Sequence, residues 1–320
     1  MLHLRLISPP GRTDEVLDAL EGCVGVTNIA VLPGTARTPR GDLIFCDVAR
    51  EAANEVLDRI GWLEQEGSIS VEQVDLALSR VAHQAKAEAP GEGDDAVVWA
   101  ALAQRIAEDL RITWAFLAFM VIATMLAGIG VITNSPILIV GAMVLGPEFG
   151  AIAAICFGLL TWRWNLVGRA LATLAVGFGI AIAITTACAL VARGLGWIDA
   201  QALDTGHEEV QFIVKPDRWS FIVALLAGAA GVLSVTAGKS SALVGVFISV
   251  TTIPAAGYAA VAVALGNWSE LGGSALQLGV NIAGMVVSGT AVLYVQRRIW
   301  PQGMRLGSST GTRPSEGLPG

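Results

Sequence analysis

From Ile112 onward the chain is ordered by long uncharged apolar runs, at 112–132, 136–160 (interrupted only by Glu148), 170–192, 219–237, 242–265 and 271–295. Each reaches or nearly reaches the ~20 residues that a helix needs to cross ~30 Å of hydrocarbon. The pattern therefore predicts six transmembrane helices. The first 80 residues are patterned differently. Period-two alternation predicts strands at Leu2–Ser8, Val24–Leu32, Leu43–Ala49 and Ile69–Leu78. Helical spacing predicts helices at Thr13–Leu20 and Glu51–Leu63, with a turn-rich stretch from Thr35 to Gly41. The order is βαββαβ, that of a ferredoxin-like sandwich with two helices on one face of a four-stranded sheet.

The apolar part carries an internal echo. Trp114 and Phe116 match Trp219 and Phe221, Ser135 matches Ser240, Gly168 matches Gly273, and Ala170-Leu171 match Ala275-Leu276, all at a spacing of 105; Val140-Gly141 match Val244-Gly245 at 104. Each copy holds three spans. An odd number of spans makes the second copy enter the bilayer upside down, which is the inverted-repeat plan of many secondary transporters.

Composition agrees: 54% hydrophobic, 15% charged, 37 glycines and a mean hydropathy of +0.64 are too apolar for a soluble chain of 320 residues. Four domains of behaviour follow: a soluble βαββαβ domain at 1–82, a linker with an amphipathic helix at 83–111, six spans at 112–296, and a Gly, Ser, Thr and Pro rich tail at 297–320 expected to be disordered. Within the linker, 83–95 reads as a hinge, and Val98, Ala101, Leu102, Ile106 and Leu110 recur at helical spacing. The first strand carries His3 and Arg5 and shows no signal-peptide core. With that domain inside, eight Lys and Arg near span ends fall on the cytoplasmic side against three (Arg193, Lys215, Arg218) outside. Both termini are then cytoplasmic at the plasma membrane, and the loop with Asp199, Asp204, His207, Glu208, Glu209 and Asp217 is external.

The run Thr133-Asn134-Ser135-Pro136-ILIVGAMVLGPEFG, then LLAGAAGVLSVTAGKSSALVGV at 225–246 and a proline at 254, resembles the DUF389 family of bacterial integral membrane proteins over about 115–295. The LHLRLISPP opening looks like the form found in actinobacterial members. The resemblance implies an uncharacterised membrane family and no particular reaction. This chain has Asn134 where members often have Asp, and Pro254-Ala255 where they have a double proline, so a role needing an ionised side chain at 134 does not carry over.

Candidate chemistry concentrates at two places. Glu148 follows Gly146-Pro147 in an otherwise apolar run, where a carboxylate costs roughly 2.5 to 3.5 kcal/mol. Pro147 removes a backbone donor, so Glu148 sits either at a helix break lining a polar cavity or at the interface end of a short span. The matching stretch is Thr251-Thr252-Ile253-Pro254; interrupted helices at corresponding places point to a midplane binding site, and the alternative is two unrelated proline kinks. Asn134, Ser135, Lys239 and Ser240 read as hairpin turns or as ligands, and Gln277 and Asn281, four apart on one face, as interhelical hydrogen-bonding residues or as substrate ligands. Cys23, Cys46, Cys156 and Cys188 have no paired spacing and the histidines are scattered, so neither disulfides nor a metal site is expected. No cofactor motif appears, and a pI of about 5.0 argues against nucleic acid. The expectation is a non-enzymatic transporter or channel for a small solute or ion. The soluble domain regulates it, with room for a small-molecule ligand there and for a homo-oligomer. The rival is a membrane-anchored sensor or scaffold.

Overall fold

The computed structural model describes residues 1–74, 76–89, 96–198, 218–238 and 251–299. It divides into two compact units, Met1–Ala100 and Ala101–Trp300.

In the first unit, strands β1 (Leu2–Ser8), β2 (Val26–Arg37), β3 (Arg40–Val48) and β4 (Ser68–Gln73) form one antiparallel sheet in the order β2-β3-β1-β4. Alternation decides its faces. Leu2, Leu4 and Leu6 of β1 and Ile44, Cys46 and Val48 of β3 are buried, and they meet Val16 and Leu20 of α1 (Thr13–Glu21) and Val56 and Ile60 of α2 (Ala53–Ile60). Each such large side chain is worth ~1.5–3 kcal/mol when fully removed from water. The Cys46 thiol is pushed up to about 12 by that burial, so it is an inert packing residue.

Several boundaries differ from the pattern-based expectation. The expected turn at Thr35–Gly41 belongs mostly to the strands, because β2 runs on to Arg37 and β3 begins at Arg40, leaving only Thr38-Pro39 as the reversal. The predicted strand to Leu78 stops at Gln73, and the predicted helix 51–63 divides into a 3₁₀ turn (Arg50–Ala52), α2 and a short α3 (Leu63–Glu66). The start of the predicted hinge is a helix, α4 (Arg80–Glu88), capped by the Ser79 hydroxyl; its alanine-rich sequence favours a helix, and Ala82 and Ala85 are buried. Residues 90–95 lie outside the described residues. Buried Asn54 uses both ends of its amide: Nδ2 donates to Val97 O (2.7 Å) and Oδ1 accepts from Trp99 N (3.1 Å). That fixes the first residue of α5 (Trp99–Asp109) to this unit.

The second unit contains α6 (Trp114–Ile132), α7 (Pro136–Leu145), α8 (Phe149–Leu160), α9 (Trp164–Gly194), α10 (Arg218–Ala237), α11 (Thr252–Leu265) and α12 (Trp268–Ile299). Among the described residues, α6, α9, α10 and α12 are each long and apolar enough to span a bilayer, and α7 with α8, bent by 53° at their junction, is either one further broken span or a re-entrant pair. The chain is thus a multi-pass membrane protein of four or five candidate spans. The predicted six are not all seen. The run 136–160 is two helices because Pro147 cannot continue the ladder of α7. Of the run 242–265, only α11, of 14 residues, lies within the described residues. Exposed tryptophans stand at helix ends (Trp114, Trp162, Trp164, Trp197, Trp219 and Trp268), as interfacial anchors do.

Small residues set the helix packing. A Cβ on Gly228 of α10 would lie 2.5 Å from the Met285 Cα of α12, and one on Gly257 of α11 would lie 2.6 Å from the Ala127 Cβ of α6. Without side chains at these points the backbones approach closely, which is how helices associate where lipid offers no hydrophobic contrast.

Candidate functional site

The two sequence breaks meet. α7 ends at Leu145 with Gly146 as its C-cap, α8 begins after Glu148, and α11 begins at Thr252. The Thr252 hydroxyl donates to Glu148 Oε1 at 2.6 Å, with Thr252 fully buried and Glu148 only 4% exposed. Glu148 is buried inside the helical unit, at the break between α7 and α8. The second oxygen, Oε2, has no hydrogen-bond partner among the described residues. It lies against the Gly146 backbone: a side-chain carbon at 146 would collide with Oε2 and with Ile253. Glycine is required there for space.

One residue before Thr252, the Thr251 hydroxyl accepts from Asn281 Nδ2 at 2.7 Å and from Gln277 Nε2 at 3.4 Å, and Gln277 Nε2 also reaches Asn281 Oδ1 at 3.2 Å. The four-residue spacing of Gln277 and Asn281 puts both amides on the face of α12 that meets the start of α11. Gln277 Oε1 is buried and has no partner among the described residues. Pro254 is buried in the first turn of α11, where a missing N–H belongs to no intrahelical bond, so it starts the helix and does not kink it.

Not every candidate joins this cluster. Asn134 and Ser135 form the reversal between α6 and α7, with Asn134 at φ 48° and the Ser135 N–H donating to Gly130 O at 2.8 Å. Lys239, Ser240 and the acidic loop at 199–217 lie outside the described residues.

Two arginines reach the ends of other helices. Arg193, in the last turn of α9, donates to Ala264 O at the end of α11 (2.9 Å); Arg297, in the last turn of α12, donates to Leu160 O at the end of α8 (3.2 Å). Each guanidinium meets the carbonyl end of a helix, where the macrodipole favours a cation. Donors and acceptors of the two bonds are both separated by 104 residues, as are Glu148 and Thr252. The sequence signal was available: Arg193 and Arg297 obey the same spacing as Val140 and Val244.

Beside the break lies a cavity of about 350 Å³, lined by Gly146 and Pro147, by Arg105, Asp109 and Arg111 at the end of α5, and by Val235 of α10 among others. Asp109 packs against Gly150 in the first turn of α8. Desolvation there holds its carboxyl above the usual carboxylate range, with Arg105 pulling the other way. Neither the cavity nor Asp109 was signalled by the sequence, because α5 reads as an ordinary amphipathic helix.

No curated protein and no solved structure matches the chain. A family model does: the one described as Domain of unknown function (DUF389) matches residues 143–287. That stretch runs from the last turn of α7 to the middle of α12 and holds Glu148, Thr251, Thr252, Gln277 and Asn281; over residues 143–287 the chain is similar to the DUF389 family.

Proposed function

We propose that the protein moves a small solute or ion across the plasma membrane, through a site built where two interrupted helices meet. The observation that carries this reading is the buried Glu148–Thr252 hydrogen bond. A carboxylate and hydroxyl groups at helix breaks, inside an otherwise apolar bundle, are what a midplane site in a transporter requires and what a passive anchor does not.

The architecture we propose is two three-span units of opposite orientation, with both termini cytoplasmic. The paired contacts support it: Arg193 with the end of α11, Arg297 with the end of α8, and the 104-residue spacing shared with Glu148 and Thr252. A two-fold axis in the membrane plane brings position n of one unit against position n of the other only where the axis passes, and Glu148 with Thr252 has that relation. The βαββαβ domain is then a cytoplasmic regulator. Its Asn54 holds the first residue of α5, whose last turn lines the cavity at the break.

Reconstitution of the purified full-length protein tests the transport reading. Proteoliposomes are assayed for flux of protons, alkali cations and chloride with entrapped indicators. Flux above that of protein-free vesicles, reduced by Glu148→Gln, is the expected result. Tight vesicles for every probe return the protein to the rival role of membrane-anchored sensor or scaffold. Orientation is tested separately, by single cysteines in place of Trp162 and Trp197 in a background lacking the exposed Cys188. An impermeant thiol reagent added to intact cells should reach position 197 and spare 162.

A further inference from the structure

The feature left unexplained is the free oxygen of Glu148. Oε1 is satisfied by Thr252, whereas Oε2 is buried beside Gly146 without a partner among the described residues. Gly146 is also part of the wall of the cavity at the end of α5. A single residue without a side chain therefore contacts the unsatisfied carboxylate oxygen on one side and a solvent-sized space on the other. We infer that Glu148 is a proton-binding site, and that the cavity beside Asp109 is the vestibule through which water delivers and removes the proton past Gly146. This rests on the transport reading above and names the ion.

The surroundings select a proton over a metal ion. Hard cations take six or more oxygen ligands at short range, whereas no described side chain bonds to Oε2 and no group of three or more acids, histidines or cysteines gathers among the described residues. One oxygen suffices for an O–H bond. In the step itself, hydronium in the vestibule gives its proton to Oε2; an O–H bond forms, the carboxylate becomes a neutral acid, and water remains. Release reverses this. Thr252 donates to Oε1 in both states, so the bundle keeps its contact while the charge comes and goes.

Among the described residues, no charged side chain other than Glu148 is buried. α6, α7, α8 and α11 carry no charged residue along their lengths, although α8 has the buried thiol of Cys156 and α11 has Tyr258. On α9, α10 and α12 the charges lie toward helix ends: Arg193 and Arg297 are engaged with Ala264 O and Leu160 O, and Glu270 accepts from the Tyr258 hydroxyl at 3.3 Å. What remains on the Gly146 side is the vestibule's own set, Arg105, Glu108, Asp109 and Arg111, with Asp109 placed to relay a proton.

Infrared difference spectroscopy of the full-length protein in lipid nanodiscs, as a function of pH and after transfer to deuterated buffer, tests the inference without a transport assay. A carboxylic-acid C=O band should titrate in the wild type and be lost in Glu148→Gln, while Glu148→Asp retains a band at shifted frequency. In Gly146→Ala the deuterium shift of that band should be slowed, because the added methyl fills the contact between oxygen and vestibule. The inference is overturned by a wild-type spectrum with no band that Glu148→Gln removes, or by deuterium exchange equally fast in Gly146→Ala. Failure of the two readings is distinguishable. Tight proteoliposomes with a titrating Glu148 remove transport and keep the proton site, whereas flux unchanged by Glu148→Gln, with no titrating band, removes the proton site and keeps transport.

Discussion

The break between α7 and α8 and the start of α11 occupy matching places in the chain, yet one carries an acid and the other hydroxyls. At the first, Gly146-Pro147-Glu148 interrupts a single apolar run, and the carboxylate turns inward. At the second, Thr251 caps a helix that starts cleanly at Thr252, with Pro254 in its first turn. Glu148 and Thr252 touch, so the difference is a condition of the contact. Two carboxylates at 2.6 Å in an apolar interior cannot both ionise, whereas a hydroxyl can donate to one. The halves differ again around Thr251. Gln277 and Asn281 gather on its hydroxyl, while the residues at the matching places of α9 are Thr173, which donates to Leu110 O, and Gly177. One half thus supplies the charge and the other the polar support.

The sharpest way to break this asymmetry is to make the breaks alike. Thr252→Asp sets a second carboxylate against Glu148 and should cost about 3 kcal/mol or more as buried, uncompensated charge. Expected is loss of monodisperse protein in detergent gel filtration, with recovery in Glu148→Gln/Thr252→Asp, where an amide can donate to the new acid. No recovery in the double variant would show that the contact does not matter.

The two arginines should, in contrast, behave alike. Arg193→Ala and Arg297→Ala each remove a cation from a helix C-terminus, for a loss of about 1 kcal/mol each at these exposed positions. Thermal unfolding midpoints should fall by similar amounts, and additively, since the two bonds share no partner. A drop confined to one arginine would count against the equivalence of the two units.

Smaller still is the amide support at the second break. A double-mutant cycle on Thr251→Ala and Asn281→Ala should give a coupling of about 0.6 kcal/mol, the usual scale for interhelical hydrogen bonds in membranes. A coupling of zero would make the 2.7 Å bond incidental packing.

The last prediction contrasts the membrane site with the N-terminal unit. Asp42 accepts from the Thr13 hydroxyl and from the Gly34 N–H, and these bonds hold its carboxyl below the ordinary value. Its contribution is therefore present above the unfolded-state pKa of about 3.9 and is lost as pH falls through the lower folded value. Hydrogen exchange of the full-length protein, followed in peptides from β3 and α1, should quicken on acidification. Asp42→Asn should flatten that dependence without touching the Glu148 band.

The N-terminal unit was largely legible in the sequence because a half-buried sheet writes its alternation directly: Leu2, Leu4, Leu6 and Ile44, Cys46, Val48 need no distant information to declare their faces. The membrane helices were legible as apolar runs for a similar reason, as was the cost of placing Glu148 among them. What hydropathy cannot register is backbone continuity. It read 136–160 as one span across Pro147, and it gave no sign that Arg193 and Arg297 meet the carbonyl ends of α11 and α8. The partner of Glu148 was equally hidden, since apolar surroundings fix only that a buried carboxylate must find a donor. Which donor it finds, that Gly146 alone leaves room for its second oxygen, and that α5 brings a cavity to that point depend on helices packed 104 residues away in sequence. Composition and periodicity determined the classes of element and the energetic problem; close packing of small residues in the tertiary structure decided which polar groups solve it together.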